Sequence, residues 1–234
     1  MHNTVMSRVD LFSYEACPFA QRTRMVLIEK GIEFELTEID LDARPSWFRE
    51  VSPYGKVPLL RHDGRVVYES AIINQYLDEV FPEPPLMPVD AYGRAQVRTW
   101  MDYCETRYLP AAHRVMAERD QPGRLAENRA KLAEVMRFME HEGLRKLSDG
   151  PYWMGATPTL VDLQFAPFLE RFAVYEELAG VEWPEDCERL RRWYEAIGRR
   201  RSFVETRHTL DFHLEMQRRL AARRAAAAAR ATGT

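Results

Sequence analysis

The chain has 234 residues, 46% hydrophobic and 29% charged, with five Trp, ten Tyr and eleven Phe, which excludes wholesale disorder and supplies material for a buried core. The net charge is −3, and because Lys30, Lys56, Lys131 and Lys146 are the only lysines, the remaining basic residues are arginines interleaved with acids; this balance argues against a dedicated nucleic-acid binder, which would carry a basic stripe. No apolar run reaches the roughly 18 residues of a membrane span, and residues 1–8 lack the apolar core of a secretory signal, so the expectation is a soluble, cytoplasmic protein with no membrane or nucleic-acid partner.

Residues 8–81 alternate between strand-like and helix-like patterns. Val9 to Ser13 reads as a short strand, followed by a helix from Pro18 to Lys30 that stops at Gly31. Glu33 to Ile39 alternates polar and apolar residues and reads as a second strand, with a short helical turn near Pro45 to Val51. Val57 to Arg61 and Val66 to Tyr68 bracket an Asp63-Gly64 turn and read as a hairpin. Ser70 is expected to cap a helix through Val80. The order, βαβ, hairpin, helix, predicts an α/β domain.

Pro82, Pro84, Pro85 and Pro88 mark residues 82–89 as a stiff linker. From residue 90 to 217 the pattern is all helical. Val97, Trp100, Met101, Cys104 and Tyr108 share one face of a long helix, and a second helix covers about Arg124 to Lys146. Thr159-Leu160-Val161-Asp162 has the form of a capping box and opens an apolar, buried helix. Two further helices are expected near Cys187 to Gly198 and from Leu210 onward. The Ala- and Arg-rich tail, 218–234, is expected to be flexible.

Three widely spaced cysteines, Cys17, Cys104 and Cys187, form neither a disulfide framework nor a zinc site, which suits a reducing compartment. Pro18 at the first helical position places Cys17 at the helix start, where free backbone N–H groups and the helix dipole commonly bring a thiol from about 8.5 down to roughly 3.5–7.5. A thiolate is a nucleophile. Because Ala20 stands where a second cysteine would, any redox cycle here is monothiol and needs an external thiol. An inert capping cysteine fits the same local pattern equally well.

Two further pieces are weak in isolation. Val57-Pro58 opens a strand with a residue that cannot join the ladder, so a special turn is expected, a cis bond being one option. Val57 then keeps backbone groups free for an extended peptide; an ordinary loop proline is the simpler reading. Glu69-Ser70 at a helix start suits an amino-acid head group, Ser70 for its carboxylate and Glu69 for its ammonium. For an isolated Glu-Ser pair, plain capping is the simpler account.

Together, Cys17-Pro18-Phe19-Ala20, Val57-Pro58, Glu69-Ser70 and Thr159-Leu160-Val161-Asp162 resemble the glutathione S-transferase superfamily over residues 8–215. With Arg22, Arg44-Pro45-Ser46-Trp47-Phe48 and Tyr68-Glu69-Ser70-Ala71-Ile72, the chain is most similar to the omega-like, cysteine class. The resemblance implies a thioredoxin-like domain followed by a helical bundle, and glutathione as co-substrate with a small disulfide or electrophile. It implies a mixed disulfide on Cys17, and glutathione held by Phe19, Arg44, Val57, Pro58, Glu69 and Ser70, with Arg44 meeting the glycine carboxylate. A homodimer is implied too. The segment Tyr76 to Val89 is also similar to the stringent starvation protein A family, relatives of the same fold that bind RNA polymerase. Cys17 and Glu83 depart from that family's pattern, and the enzyme is the favoured reading. His62, His113, His141, His208 and His213 show no metal-ligand spacing, so no metal is expected.

Overall fold

The structure, a computed structural model, describes residues 7–232. Four strands, β1 (Val9–Ser13), β2 (Glu35–Glu38), β3 (Leu59–His62) and β4 (Arg65–Tyr68), form one sheet in the order β2-β1-β3-β4. β1 runs parallel to β2, with Leu11 opposite Leu36, and antiparallel to β3, with Leu11 opposite Leu60. The β3–β4 hairpin turns through Asp63 and Gly64, both at positive φ (47° and 80°). That conformation matches the twist of the flanking strands and explains why Asp-Gly stands there.

Helices cover both faces of this sheet: α1 (Pro18–Glu29), α2 (Ser46–Val51) and α3 (Ser70–Val80). Strand alternation divides the core accordingly. Val9, Leu11 and Leu60 pack with Met25 and Val26 of α1 and Ile73 of α3, whereas Phe12 and Leu59 pack with Phe48 of α2, Ile39 and Val57. Asp78 of α3 anchors the chain that follows: its Oδ1 accepts from Lys30 Nζ and from the Leu86 N–H, both at 2.8 Å.

The second domain is helical. α4 (Ala91–Tyr103), capped by the Asp90 carboxylate, passes through a π-helical turn (Cys104–Tyr108) into α5 (Leu109–Ala117). α6 (Pro122–Phe138) likewise passes through a π turn (Met139–Leu144) into the short α7 (Arg145–Leu147). The stripe Val97, Trp100, Met101, Cys104 and Tyr108 is buried as expected. The second π turn lies tight against two indoles: a Cβ on Gly143 would come within 2.5 Å of Trp153 and 3.0 Å of Trp100. α8 (Leu160–Glu170) is buried from Leu160 to Leu169. Its capping-box residue Asp162 is fully enclosed and accepts from the Trp153 and Thr159 N–H groups, the Thr159 hydroxyl and Trp193 Nε1. α9 (Phe172–Ala179), α10 (Glu188–Gly198), α11 (Arg201–Thr206) and α12 (Leu210–Thr232) complete the chain.

Two expectations need correction. The N-cap of α3 is Glu69, and Ser70 is the first helical residue, its hydroxyl taken by Arg22 and not by the helix. The Ala-rich tail is helical as far as Thr232. Alanine is the strongest helix former, and a helix already nucleated where His213 is buried needs only propagation to continue; residues 233–234 lie outside the described residues. The architecture is a thioredoxin-like sheet domain followed by a helical domain.

Candidate active site

Cys17 stands at the N-cap of α1 in extended conformation, with Pro18 behind it. Its N–H donates to the Tyr14 carbonyl at 2.9 Å, closing the turn that joins β1 to the helix. Its Sγ lies 3.8 Å from the Val57 carbonyl oxygen, so sulfur and Val57 face each other across the mouth of the sheet. The electrostatics correct the sequence expectation. Burial pushes the Cys17 thiol above its ordinary value, although the Ala20 and Phe19 N–H groups and the charges of Arg171 and Arg22 all pull it down. Cys104 and Cys187 are fully buried, and burial raises both thiols, Cys187 to about 12. They are core residues.

Beside Cys17 is a cleft of about 120 Å³ lined by Phe19, Val57, Pro58, Glu69 and Ser70, together with Ser52, Tyr54, Lys56 and Tyr68. Five of the six residues assigned to glutathione by resemblance are thus neighbours around one cavity. The Val57-Pro58 bond is cis, and Val57 precedes the β3 ladder, leaving its N–H outside the strand pairing. Glu69 holds positive φ (66°), uncommon for a residue with a side chain and a reason to look for function at that position. Arg44 is the sixth residue. It is exposed in the loop before α2, near Gly55, and is not part of the cleft wall.

Lys56 lines the cleft in its stead, and in the sequence its only signal is adjacency to Val57-Pro58. Its backbone is fixed by Ser52, whose hydroxyl accepts from the Lys56 N–H and donates to the Lys56 carbonyl, both at 3.1 Å. The ammonium lies 5.8 Å from the centre of the Tyr54 ring.

A buried network supports the cleft from behind. Arg22 Nε donates to Ser70 Oγ at 2.8 Å, and its Nη1 donates to Glu105 Oε1 at 2.7 Å, which also accepts from Gln164 Nε2 at 2.8 Å. The guanidinium also lies over the Phe19 ring, 5.0 Å from its centre, and Phe19 meets Phe168 edge-on at 5.1 Å. Glu105, Gln164 and Phe168 belong to the helical domain, so one arginine of α1 links the cleft wall to the second domain. No group of His, Cys, Asp and Glu residues that could hold a metal ion occurs among the described residues, and none of their helices is long and apolar enough to cross a membrane.

The sequence and the fold agree with known proteins. Residues 11–85 match the profile of the glutathione S-transferase N-terminal domain and residues 122–196 that of the glutathione S-transferase C-terminal domain. The chain is 32% identical to glutathione S-transferase U24 of Arabidopsis thaliana, over 91% of this chain and 97% of that protein. Among solved structures, rice GST1 (OsGSTU1) in complex with glutathione superposes with a TM-score of 0.84 at 30% identity, covering 93% of this chain and 98% of that one. Glutathione transferase Omega 3C from Trametes versicolor superposes at 0.79 with 28% identity, over 86% and 89% of the two chains. The chain belongs to the glutathione S-transferase family.

Proposed function

We infer that the chain is a glutathione-dependent thiol transferase of the omega-like, cysteine type, working through a mixed disulfide on Cys17. The observation that carries this reading is a sulfur atom, and not a hydroxyl, at the start of α1 and within 3.8 Å of the Val57 carbonyl beside the cleft. Ala20 and the burial of Cys104 and Cys187 leave that sulfur without a partner in the chain, so an external thiol completes the cycle.

In the first step the Cys17 thiolate attacks the glutathionyl sulfur of a mixed disulfide. A Cys17–glutathione bond forms, the substrate S–S bond breaks, and the substrate sulfur leaves as a thiolate that takes up a proton. In the second step a glutathione thiolate attacks the glutathionyl sulfur of the adduct. Glutathione disulfide leaves and the Cys17 thiolate is regenerated. Because a leaving thiol of raised pKa departs slowly, the adduct on Cys17 is long-lived. Glutathionylated thiols are the substrate class of this exchange. With dehydroascorbate the Cys17 thiolate would add to a carbonyl carbon, and a glutathione thiolate would attack the Cys17 sulfur. Ascorbate would leave with the C–S electron pair and take up protons, and the resulting Cys17–glutathione disulfide would enter the second step.

The cleft suits the tripeptide. Ser70 can donate to the γ-glutamyl carboxylate, Glu69 can accept from its ammonium, and the Val57 backbone can pair with the cysteinyl unit between the walls made by Phe19 and Pro58. Arg44 at the rim or Lys56 in the wall meets the glycine carboxylate. Exposed Val66, Tyr68, Ile72 and Tyr92 supply apolar surface that a second copy of the chain would cover, making a homodimer. The three unpaired cysteines support a reducing compartment, the cytoplasm, as its setting.

The test is intact mass after incubation with glutathione disulfide. One glutathione added to the wild type, absent from Cys17→Ala and removed by excess glutathione, is the expected result. A wild type that takes up nothing would leave Cys17 as a helix cap and sink the mechanism.

A further inference from the structure

The turn Tyr14–Cys17 is held from outside by side chains of the helical domain and α12. Arg171, at the junction of α8 and α9, reaches across the domain boundary. Its Nη2 donates to the Ala16 carbonyl at 3.0 Å, and its Nη1 donates to Gln21 Oε1 at 3.1 Å and to the Pro167 carbonyl. The Ala16 carbonyl belongs to the peptide unit that carries the Cys17 nitrogen. The guanidinium is therefore pinned to the two elements that flank the sulfur, the turn before it and the first turn of α1. Glu170 holds the same assembly from the other side: Oε2 accepts from Gln21 Nε2 at 2.5 Å, while Oε1 accepts from the His208 N–H at 2.9 Å and lies 2.6 Å from His213 Nε2.

We propose that Arg171 is a positioning residue for the reaction, through which the helical domain fixes the backbone under Cys17 and presents a fixed positive charge to the sulfur when it becomes negative. The inference rests on Cys17 being the nucleophile. Nothing in the sequence marks Arg171, because it lies more than 150 residues from the turn it holds.

The charge balance at the sulfur supports the assignment. α1 contributes Arg22 and Arg24, the preceding turn contributes Glu15, and α8 and α9 contribute Glu170, Arg171 and Tyr175. His208 lies before α12, with Nε2 3.2 Å from the Glu15 carbonyl oxygen, and His213 lies on α12. Arg22 is committed to Glu105, and Arg24 sits 4.0 Å from Glu38. Among these cations Arg171 has the largest influence on the Cys17 thiol. Its bonds to neutral carbonyl and amide oxygens leave its charge undiminished by a direct ion pair among the described residues, although Glu170 faces it.

The experiment is the rate of Cys17 alkylation by iodoacetamide, followed by intact mass from about pH 6 to about pH 11, with Cys17→Ala as the blank. In Arg171→Gln the midpoint of the rate profile moves up by about one pH unit, and labelling at neutral pH falls about tenfold. In Glu170→Gln, which removes the carboxylate facing the same guanidinium, the midpoint moves down. Arg171→Lys restores the midpoint toward wild type but slows thiol transfer, because an ammonium cannot hold Ala16 and Gln21 together. A residue that served folding alone would not produce shifts of opposite sign. Profiles of Arg171→Gln and Glu170→Gln that coincide with wild type would overturn the proposal. If Arg171→Gln does not fold, Glu170→Gln and Arg171→Lys still decide it. A wild type whose Cys17 resists alkylation at every pH would overturn instead the reading of Cys17 as nucleophile.

Discussion

Arg22 donates through Nε to the oxygen of the Ser70 hydroxyl at 2.8 Å, so the hydroxyl proton is free to donate to an acceptor in the cleft. Ser70→Ala is expected to raise KM for glutathione five- to tenfold, about 1 kcal/mol, with little change in kcat. Arg22→Gln removes a buried cation from a pair whose other member, Glu105, is 35% exposed, and leaves Glu105 with Gln164 alone, so it also lowers stability, by about 1–2 kcal/mol once solvent screening is allowed for. Steady-state kinetics and urea denaturation separate the two effects. Equal loss of stability in both variants would contradict the division of roles.

In the proposed reading Lys56 and Arg44 are the two candidates for the glycine carboxylate of glutathione. Lys56 lines the cleft, whereas Arg44 is an exposed side chain outside its wall. Lys56→Ala should raise KM for glutathione about tenfold, the scale of one charge-assisted hydrogen bond, and Arg44→Ala by less. The reverse order in titrations with glutathione would return the carboxylate to Arg44.

The direction of the Cys17 shift fixes a pH dependence. Its thiol lies above the ordinary cysteine value because burial outweighs the helix N–H groups and the arginines. The thiolate fraction, and with it the rate of thiol transfer, should therefore keep rising with pH beyond about 8.5, where a free cysteine is half ionised. Stability runs the other way. The unfolded chain ionises this thiol first, so the contribution of Cys17 to stability is complete below the unfolded value and is lost as pH climbs toward the folded one. A rate plateau already reached near neutral pH would show that the helix start wins over burial.

Asp162 gathers four donors in a fully enclosed site, two of them tying Trp153 and Trp193 to the start of α8. Asp162→Ala leaves those donors without a partner and is expected to cost about 3 kcal/mol or more. Asp162→Asn, which still accepts at one oxygen, should cost less. Thermal unfolding of the two variants tests the ranking, and glutathione adduct formation on Cys17 should survive in whatever fraction remains folded.

Much of this was legible in the sequence because the signals are local. Pro18 after Cys17, Asp63-Gly64 between two apolar runs, Val57-Pro58 and the Thr159–Asp162 box each act within four residues, and each stands where expected. What escaped depends on distance or on competition between terms. Arg22 could be read as part of a motif, but not as the donor to Ser70, 48 residues away. Lys56 and Arg44 are both basic, and only the fold shows which one lines the cleft. The helix start that pulls the Cys17 thiol down is visible in the sequence, while the packing that desolvates the sulfur and pushes it up is not. The π turns at Cys104–Tyr108 and Met139–Leu144 leave no period that distinguishes them from continuous helix.

α1 has a consequence for how such chains can diverge. Its outward face pairs Gln21 with Glu170, Arg22 with Glu105, and Glu29 with Arg200 and Ser202, three polar residues each answered by the other domain. Joining this sheet domain to a helical domain without counterparts of Glu105, Glu170, Arg200 and Ser202 would strand buried polar groups of α1, even where every apolar contact was matched. A domain exchange is therefore tolerated only where those partners are kept, whereas a point change in the cleft wall leaves the Gln21–Glu170 and Glu29–Arg200 pairs of the seam in place.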